Sequence, residues 1–277
     1  MSTSDNSSDS RSAGTVTGTS DIGFGVDIGG SGIKGARVDL GTGEFIGDRI
    51  RIPTPRPATP EAVADTVAEL LLQAGWDGPV GLTVPGVVTD QTARTAANID
   101  PSWIGTDCRE LFTTRLAAAG VAGAGSAPEF TVLNDADAAG IAEVAFGDPK
   151  ATSGSVLLLT FGTGIGSALL HDGELFPNTE LGHLRFPAMD AEDWASAAVR
   201  TREDLTYREW AGRVDRVLHE YVRILNPTTI IVGGGISRKH EKWVPKLTVD
   251  VTVVPAKLRN RAGIIGAALA VRDGVRP

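Results

Sequence analysis

A single cysteine, Cys108, in 277 residues excludes an internal disulfide and any multi-cysteine zinc cluster. That usage agrees with a reducing cytoplasm. Long hydrophobic runs are missing too, since no stretch approaches the ~20 uninterrupted apolar residues of a membrane helix. The first twenty residues are mostly Ser, Thr, Gly, Asp and Asn, without an apolar core, so they read as a disordered tail rather than a secretory leader. Positive charge is scarce: 26 Lys and Arg against 34 Asp and Glu give a net charge of −8. This balance argues against a general binder of nucleic acid or membrane surfaces, and any polyanion must meet a local basic patch. What is present, 42% hydrophobic and 22% charged residues, suffices for a substantial core and two lobes.

The chain is organised around residues 24–34, Phe-Gly-Val-Asp-Ile-Gly-Gly-Ser-Gly-Ile-Lys. An apolar run ends in Asp27 and is followed by Gly29, Gly30, Ser31, Gly32 and Lys34, the parts needed to hold phosphate and its metal. Glycines let bare N–H groups approach anionic oxygens, Ser31 adds a donor and Lys34 a charge. Asp27 is suited to holding Mg²⁺ through water. No helical run follows, so this is not a Gly-x-x-x-x-Gly-Lys-[Ser/Thr] loop but the tip of a β-hairpin. A glycine-rich turn with a surface lysine is the competing reading.

A turn at Gly41-Thr-Gly43 leads to a third strand over residues 44–52, which completes an antiparallel meander. Thr59-Pro60-Glu61 starts a helix that ends at Gly75, with Val63, Val67, Leu70 and Leu71 at helical spacing. Residues 79–84 read as a buried strand. The polar segment 92–106 reads as a loop facing a cleft, with Asn98 in it and Trp103 fitting either the cleft or plain packing. Residues 107–119 look helical.

Residues 130–133 form a strand that runs into Asn134-Asp-Ala-Asp137 and an Ala-rich helix. Asp135 therefore sits at the carboxyl end of a strand, where open α/β sheets bind ligands and where a general base belongs. Asn134 can fix the same substrate. The alternative is that Asp135 or Asp137 only caps the helix.

The second half repeats this logic. Residues 155–161 form a strand, Gly162-Thr-Gly-Ile-Gly166 a second glycine loop, and residues 168–171 a returning strand. Gly162, Thr163 and Gly164 thus read as a second phosphate-binding hairpin, since a dinucleotide site would open a helix there. Glu180-Leu-Gly-His183, with Glu192 beyond it, supplies donors and acceptors for a polyhydroxylated ligand; a structural His–Glu pair is the alternative. Helices are expected over about 190–200 and 206–224, a strand over 229–232, the triple glycine Gly233 to Gly235 after it, and a final Ala-rich helix from Ala262. Over residues 238–261, Arg238, Lys239, Lys242, Lys246, Lys257, Arg259 and Arg261 stand against only Glu241 and Asp250. Such a run is either a solvated face or a track for a polyanion.

Asp27-Ile-Gly-Gly-Ser-Gly-Ile-Lys34, Asn134-Asp-Ala-Asp-Ala-Ala139, Leu159-Thr-Phe-Gly-Thr-Gly-Ile-Gly166, Glu180-Leu-Gly-His183 and Ile231-Val-Gly-Gly-Gly-Ile-Ser237 together resemble the repressor, open reading frame, kinase family of sugar kinases. Ala97-Asn-Ile-Asp-Pro-Ser-Trp103 and Ile236-Ser-Arg-Lys-His-Glu-Lys-Trp243 resemble its branch that takes inorganic polyphosphate as donor. The resemblance implies a two-lobed, actin-like (ribonuclease H-like) α/β fold. It implies a tail over residues 1–20, a small lobe over 21–134 and a large lobe over 135–277, with the last helix (about 262–277) packing back on the small lobe.

For function it implies transfer of phosphate to the 6-hydroxyl of glucose, from polyphosphate or ATP, in a cytoplasmic homodimer using Mg²⁺. Asp135 would be the base, and Asn134, Glu180, His183 and Glu192 the sugar contacts. Asp27, Gly29, Gly30, Ser31, Lys34, Gly162, Thr163, Gly164 and Gly234 would be phosphate binders, and Arg238, Lys239, Lys242 and Lys246 the polyphosphate track. The cysteine cluster that holds structural zinc in many members is lacking. A strictly ATP-dependent hexose kinase shares every motif but the basic run. A sugar-sensing regulator is disfavoured by the tail, which has no room for a helix-turn-helix, and by the acidic charge. A non-catalytic sugar-binding module would have no use for Asp135 together with Lys34.

Overall fold

Alternating apolar and polar residues from Ile22 onward produce a meander of three antiparallel strands, β1 (Ile22–Gly29), β2 (Gly32–Asp39) and β3 (Phe45–Ile52). The computed structural model describes residues 22–121, 129–186 and 189–277, so the tail expected over residues 1–20 lies outside the described residues. Helix α1 (Pro60–Ala74) begins at Thr59, whose Oγ1 accepts from the Ala62 amide, and ends on Gly75 in the left-handed region. It buries Val63, Val67, Leu70 and Leu71, as the spacing predicts. Strand β4 (Val80–Val84) is buried along its whole length because parallel neighbours flank it.

A small hairpin, β5 (Val88–Thr89) with β6 (Thr92–Ala93), and helix α2 (Cys108–Ala118) lead to β7 (Phe130–Asn134), which passes directly into α3 (Asp135–Phe146). The second half runs through β8 (Ser155–Phe161), β9 (Ile165–His171) and β10 (Glu174–Phe176), then the short pair β11 (Arg185–Phe186) and β12 (Met189–Asp190). Helices α4 (Ala191–Ala195), α5 (Ala197–Arg202) and α6 (Tyr207–Leu225) follow, then β13 (Thr229–Gly233), β14 (Thr252–Pro255) and α7 (Ala262–Arg272).

The internal repeat legible in the glycine loops extends to both sheets. One has strand order β3-β2-β1-β4-β7, the other β10-β9-β8-β13-β14. In each, three antiparallel strands are continued by two parallel ones. In each, the last strand is followed by a small-residue helix, α3 or α7. These helices pack on one another so closely that a Cβ on Gly266 would strike the Ala138 carbonyl. Helix α7 also lies against the first sheet, where Gly25 and Gly81 leave room for the Ile264 and Ala267 carbonyls.

Three local expectations are revised. The single helix expected over 190–200 is broken at Ser196, whose extended backbone ends α4 while its Oγ accepts from Val199 to cap α5. The strand after the second glycine loop begins at Ile165 rather than Ala168, which shortens the loop to three residues between the strands. The last helix ends at Arg272 rather than 277.

Candidate active site

Both glycine loops open onto one cleft of about 1100 Å³, whose other walls are residues 85–86, 95–98, the start of α3 and parts of 179–192. Asp27 and Lys34 lie opposite one another in the β1–β2 register, so both side chains leave the same face. Lys34 Nζ donates to Asp27 Oδ2 at 2.8 Å, and Thr83 Oγ1 donates to Oδ1 at 3.4 Å. The loop tip projects Gly29, Gly30 and Ser31 into the cleft, while Asp27 and Lys34 are not among the residues lining it. Gly30 is required to be small, since a Cβ there would stand 2.6 Å from the Asn98 carbonyl oxygen. Asn98, in the left-handed region at φ 62°, lines the cleft as expected of residues 92–106. Trp103 is instead fully buried and donates to the Ala58 carbonyl, so its role is packing.

Neither aspartate caps α3. Asn134 does, with Oδ1 accepting from Ala136 and Asp137 at 2.7 and 3.2 Å and Nδ2 donating to the Gly86 carbonyl at 3.1 Å. With Asn134 doing the capping, Asp135 is left with its carboxyl open to the cleft, between the two glycine loops. Although one side faces cleft solvent, protein surrounds the rest. That enclosure pushes its pKa up to about 6, with repulsion from Asp27 and Glu180 added and backbone N–H groups opposing. Asp137 is fully buried: Oδ2 accepts from the Asn178 amide at 2.8 Å, and Oδ1 has no partner among the described residues. Burial raises its pKa to about 7.

Asn178 in turn pairs its side-chain amide with both backbone groups of Val88, at 3.0 and 2.7 Å. Ser167 Oγ donates to the Thr179 carbonyl at 2.7 Å and accepts from Leu181 at 3.0 Å. These bonds fix the segment that carries Glu180. Glu180, His183 and Glu192 do converge, with His183 Nε2 3.8 Å from Glu180 Oε2 and Nδ1 3.8 Å from Glu192 Oε1. Asp190, which the motifs did not reveal, is nearer to Nδ1 at 3.1 Å. Burial lowers the His183 pKa, but the Asp190 hydrogen bond and the carboxylates of Glu192, Glu180 and Asp190 outweigh it, so the net shift is upward. The Glu180 carboxyl is raised by burial, with His183 opposing. Glu192 Oε2 accepts from the Ile165 amide at 3.1 Å and lies where a Cβ on Gly164 would be, so it ties the Glu180–His183 end of the cleft to the second glycine loop.

The basic run lies elsewhere. Gly234, at φ 79°, backs onto the Phe161 carbonyl, and neither it nor Arg238, Lys239, Lys242 or Lys246 is among the residues lining the cleft. Arg238 donates to Asn260 Oδ1 at 3.0 Å, and Lys242 sits over the Tyr207 ring. Among the described residues no three His, Cys, Asp or Glu side chains form a group that could hold a metal ion directly.

The model of the ROK family matches residues 23–193. The chain belongs to the ROK family. It is 54% identical over 248 residues to the polyphosphate glucokinase of Mycobacterium tuberculosis, covering 90% of each chain. The polyphosphate glucokinase of Mycobacterium leprae is 51% identical, over 90% of this chain and 74% of that protein. Among solved structures, the inorganic polyphosphate/ATP-glucomannokinase of Arthrobacter sp. strain KM superposes with a TM-score of 0.83 at 43% identity, covering 91% of this chain and 99% of that one. A ROK family glucokinase from Streptomyces griseus, in complex with glucose and AMPPNP, superposes at 0.74 with 24% identity over 91% and 100% of the two chains. The fold is thus the two-lobed actin-like fold of ROK sugar kinases.

The two arginines of the cleft, Arg56 and Arg202, were not singled out by sequence reasoning. Nothing local marks either one. Arg56 lies in a proline-rich connection and Arg202 at the end of a short helix, and only the tertiary fold brings them to the same cavity.

Proposed function

We propose that the chain transfers a phosphoryl group from inorganic polyphosphate, with ATP as a second donor, to the 6-hydroxyl of glucose. The observation that carries this reading is Asp135, a carboxylate left free by the Asn134 cap at the floor of a cleft between two glycine loops. Its raised pKa keeps it ionised at neutral pH yet basic enough to take the proton of an attacking hydroxyl. As that oxygen bonds to the terminal phosphorus, the bridging oxygen leaves with the shortened donor. Glu180, His183 and Glu192, with Asn134 beside the base, form the end that holds the sugar. Gly29, Gly30, Ser31, Gly162, Thr163 and Gly164 offer backbone and hydroxyl donors to the phosphates.

The Asp27 carboxylate fits Mg²⁺ held through water: Oδ1 takes only a long bond from Thr83, so it has capacity for a metal-bound water. Bound there, the ion would neutralise charge on the donor. Lys34, paired to Asp27, holds that carboxylate in place. Support for polyphosphate over ATP comes from the identity to polyphosphate glucokinases and from the basic run, with Arg238, Lys239, Lys242 and Lys246 as an outer track. We place the reaction in the cytoplasm and the protein as a homodimer, in keeping with the family resemblance.

The test is glucose 6-phosphate formation with Mg²⁺ and either long-chain polyphosphate or ATP as sole donor, at low and high salt. Strong polyphosphate activity that falls with salt is expected. Turnover with ATP alone would reduce the activity to an ATP-dependent glucokinase, and turnover with neither would overturn the proposal.

A further inference from the structure

The donor proposed above is a polyanion, yet the cleft that must receive it is lined by Asp135, Glu180, Glu192 and Asp193. Lys34 is committed to Asp27, and the basic run does not line the cleft. Among the described residues lining it, Arg56 and Arg202 are the only lysines or arginines. Each stands by a different glycine loop. Arg56 also lines a smaller cavity of about 240 Å³ together with Gly30 and Asn98, directly beside the first loop. Arg202 ends α5, the helix whose Ala198 amide donates to the Gly162 carbonyl of the second loop.

Neither guanidinium is tied up by the fold. Arg56 makes no hydrogen bond or ion pair with any described residue. Among the described residues Arg202 reaches only its neighbour Glu203, at 3.5 Å, while Glu203 is held more closely by Arg213, at 2.6 Å. Two exposed arginines without structural work, one beside each phosphate loop of an acidic cleft, are arranged to grip an anion that lies across both. A guanidinium suits this task because its planar donor fork matches two phosphate oxygens at once.

Resting on the polyphosphate reading, we infer that Arg56 and Arg202 are the donor-specificity residues of the cleft, clamping the polyphosphate chain from opposite glycine loops. The exposed lysines of the 238–246 run then act at longer range, on encounter rather than on the bound donor.

The experiment compares the wild type with Arg56→Gln, Arg202→Gln, the double variant, and Lys239→Gln/Lys242→Gln. Long-chain polyphosphate binding is titrated by calorimetry at two salt concentrations, alongside the KM for polyphosphate and the KM for glucose. Each arginine exchange is expected to weaken polyphosphate binding and raise its KM about tenfold, as for loss of one charge-assisted phosphate contact, and the double variant more. The salt dependence should become shallower, and the glucose KM should change far less than the polyphosphate KM. Wild-type affinity in the double variant, or a loss confined to the lysine pair, would overturn the inference while leaving the activity intact. A wild type that neither binds nor uses polyphosphate would overturn both.

Discussion

Asp135, the base of the proposed reaction, owes its open carboxyl to a division of labour within four residues. Asn134 takes the cap, Asp137 takes the Asn178 amide, and Asp135 is left facing the cleft with Asp27 and Glu180 as like-charged neighbours. In the proposed role of base it works only when ionised. The kcat/KM for glucose should therefore fall as pH drops through about 6, with the slope of a single proton. Asp135→Asn should lower kcat by ~10²-fold or more while the chain stays folded; near-normal turnover would remove Asp135 from the mechanism. The stability sign is opposite to the activity sign. A carboxyl whose pKa is raised on folding contributes stability below its unfolded pKa, near 3.8, and that contribution is lost as pH rises through about 6. The Asn variant should thus melt higher than the wild type at pH 8, and the gap should close toward pH 4. The strand-to-helix junction made Asp135 legible in the sequence. The capping role of Asn134 was not, because Asn134, Asp135 and Asp137 are all competent caps and only the observed backbone decides among them.

At the scale of elements, the two hairpins were readable because glycine, alternation and a missing helical run are local signals. The β1–β2 register even sets Asp27 opposite Lys34, as a hairpin reading of residues 24–34 requires. The break between α4 and α5 was less readable: Ser196 is tolerated inside a helix, and only its extended backbone reveals it as a cap. The break has a function, since it turns α5 so that Ala198 bonds the second glycine loop and Arg202 reaches the cleft. The same loop is locked to the proposed sugar end through Glu192, whose carboxylate occupies the space a Gly164 side chain would need. Gly164→Ala must push Glu192 away from the Ile165 amide and from His183. The expected result is a rise in the glucose KM of about tenfold, the cost of one charge-assisted hydrogen bond, with little change in melting temperature. An unchanged glucose KM would mean that Glu192 takes no part in holding the sugar.

Across the whole molecule, the duplicated sheets carry the design. Each half supplies one glycine-loop hairpin and one small-residue helix, and both loops line the cleft. Which residues line that cleft depends on long-range packing, so the sequence could mark its glycines and carboxylates but not its arginines. The basic run shows the reverse case, a conspicuous local signal that packing leaves off the cleft wall. What holds the two halves in register is the glycine-lined contact of α3 and α7 with one another and of α7 with β1 and β4. Gly266 tests the α3–α7 part of this contact, because the atom its Cβ would meet is the Ala138 backbone carbonyl in α3, which cannot swing aside as a side chain can. Gly266→Ala should cost about 3 kcal/mol, the upper end of ordinary overpacking, and so lower the melting temperature by roughly 6–12 °C. The control is Gly212→Ala in α6, where the glycine is exposed and nothing lies within 4 Å. There the added methyl favours the helix by about 0.5–1 kcal/mol and should leave the melting temperature equal or slightly raised. Because Ala138 sits three residues beyond Asp135 on α3, strain at Gly266 acts on the helix that carries the proposed base, so kcat should fall together with stability. Equal melting curves for the two glycine variants would show that α7 does not hold the halves together.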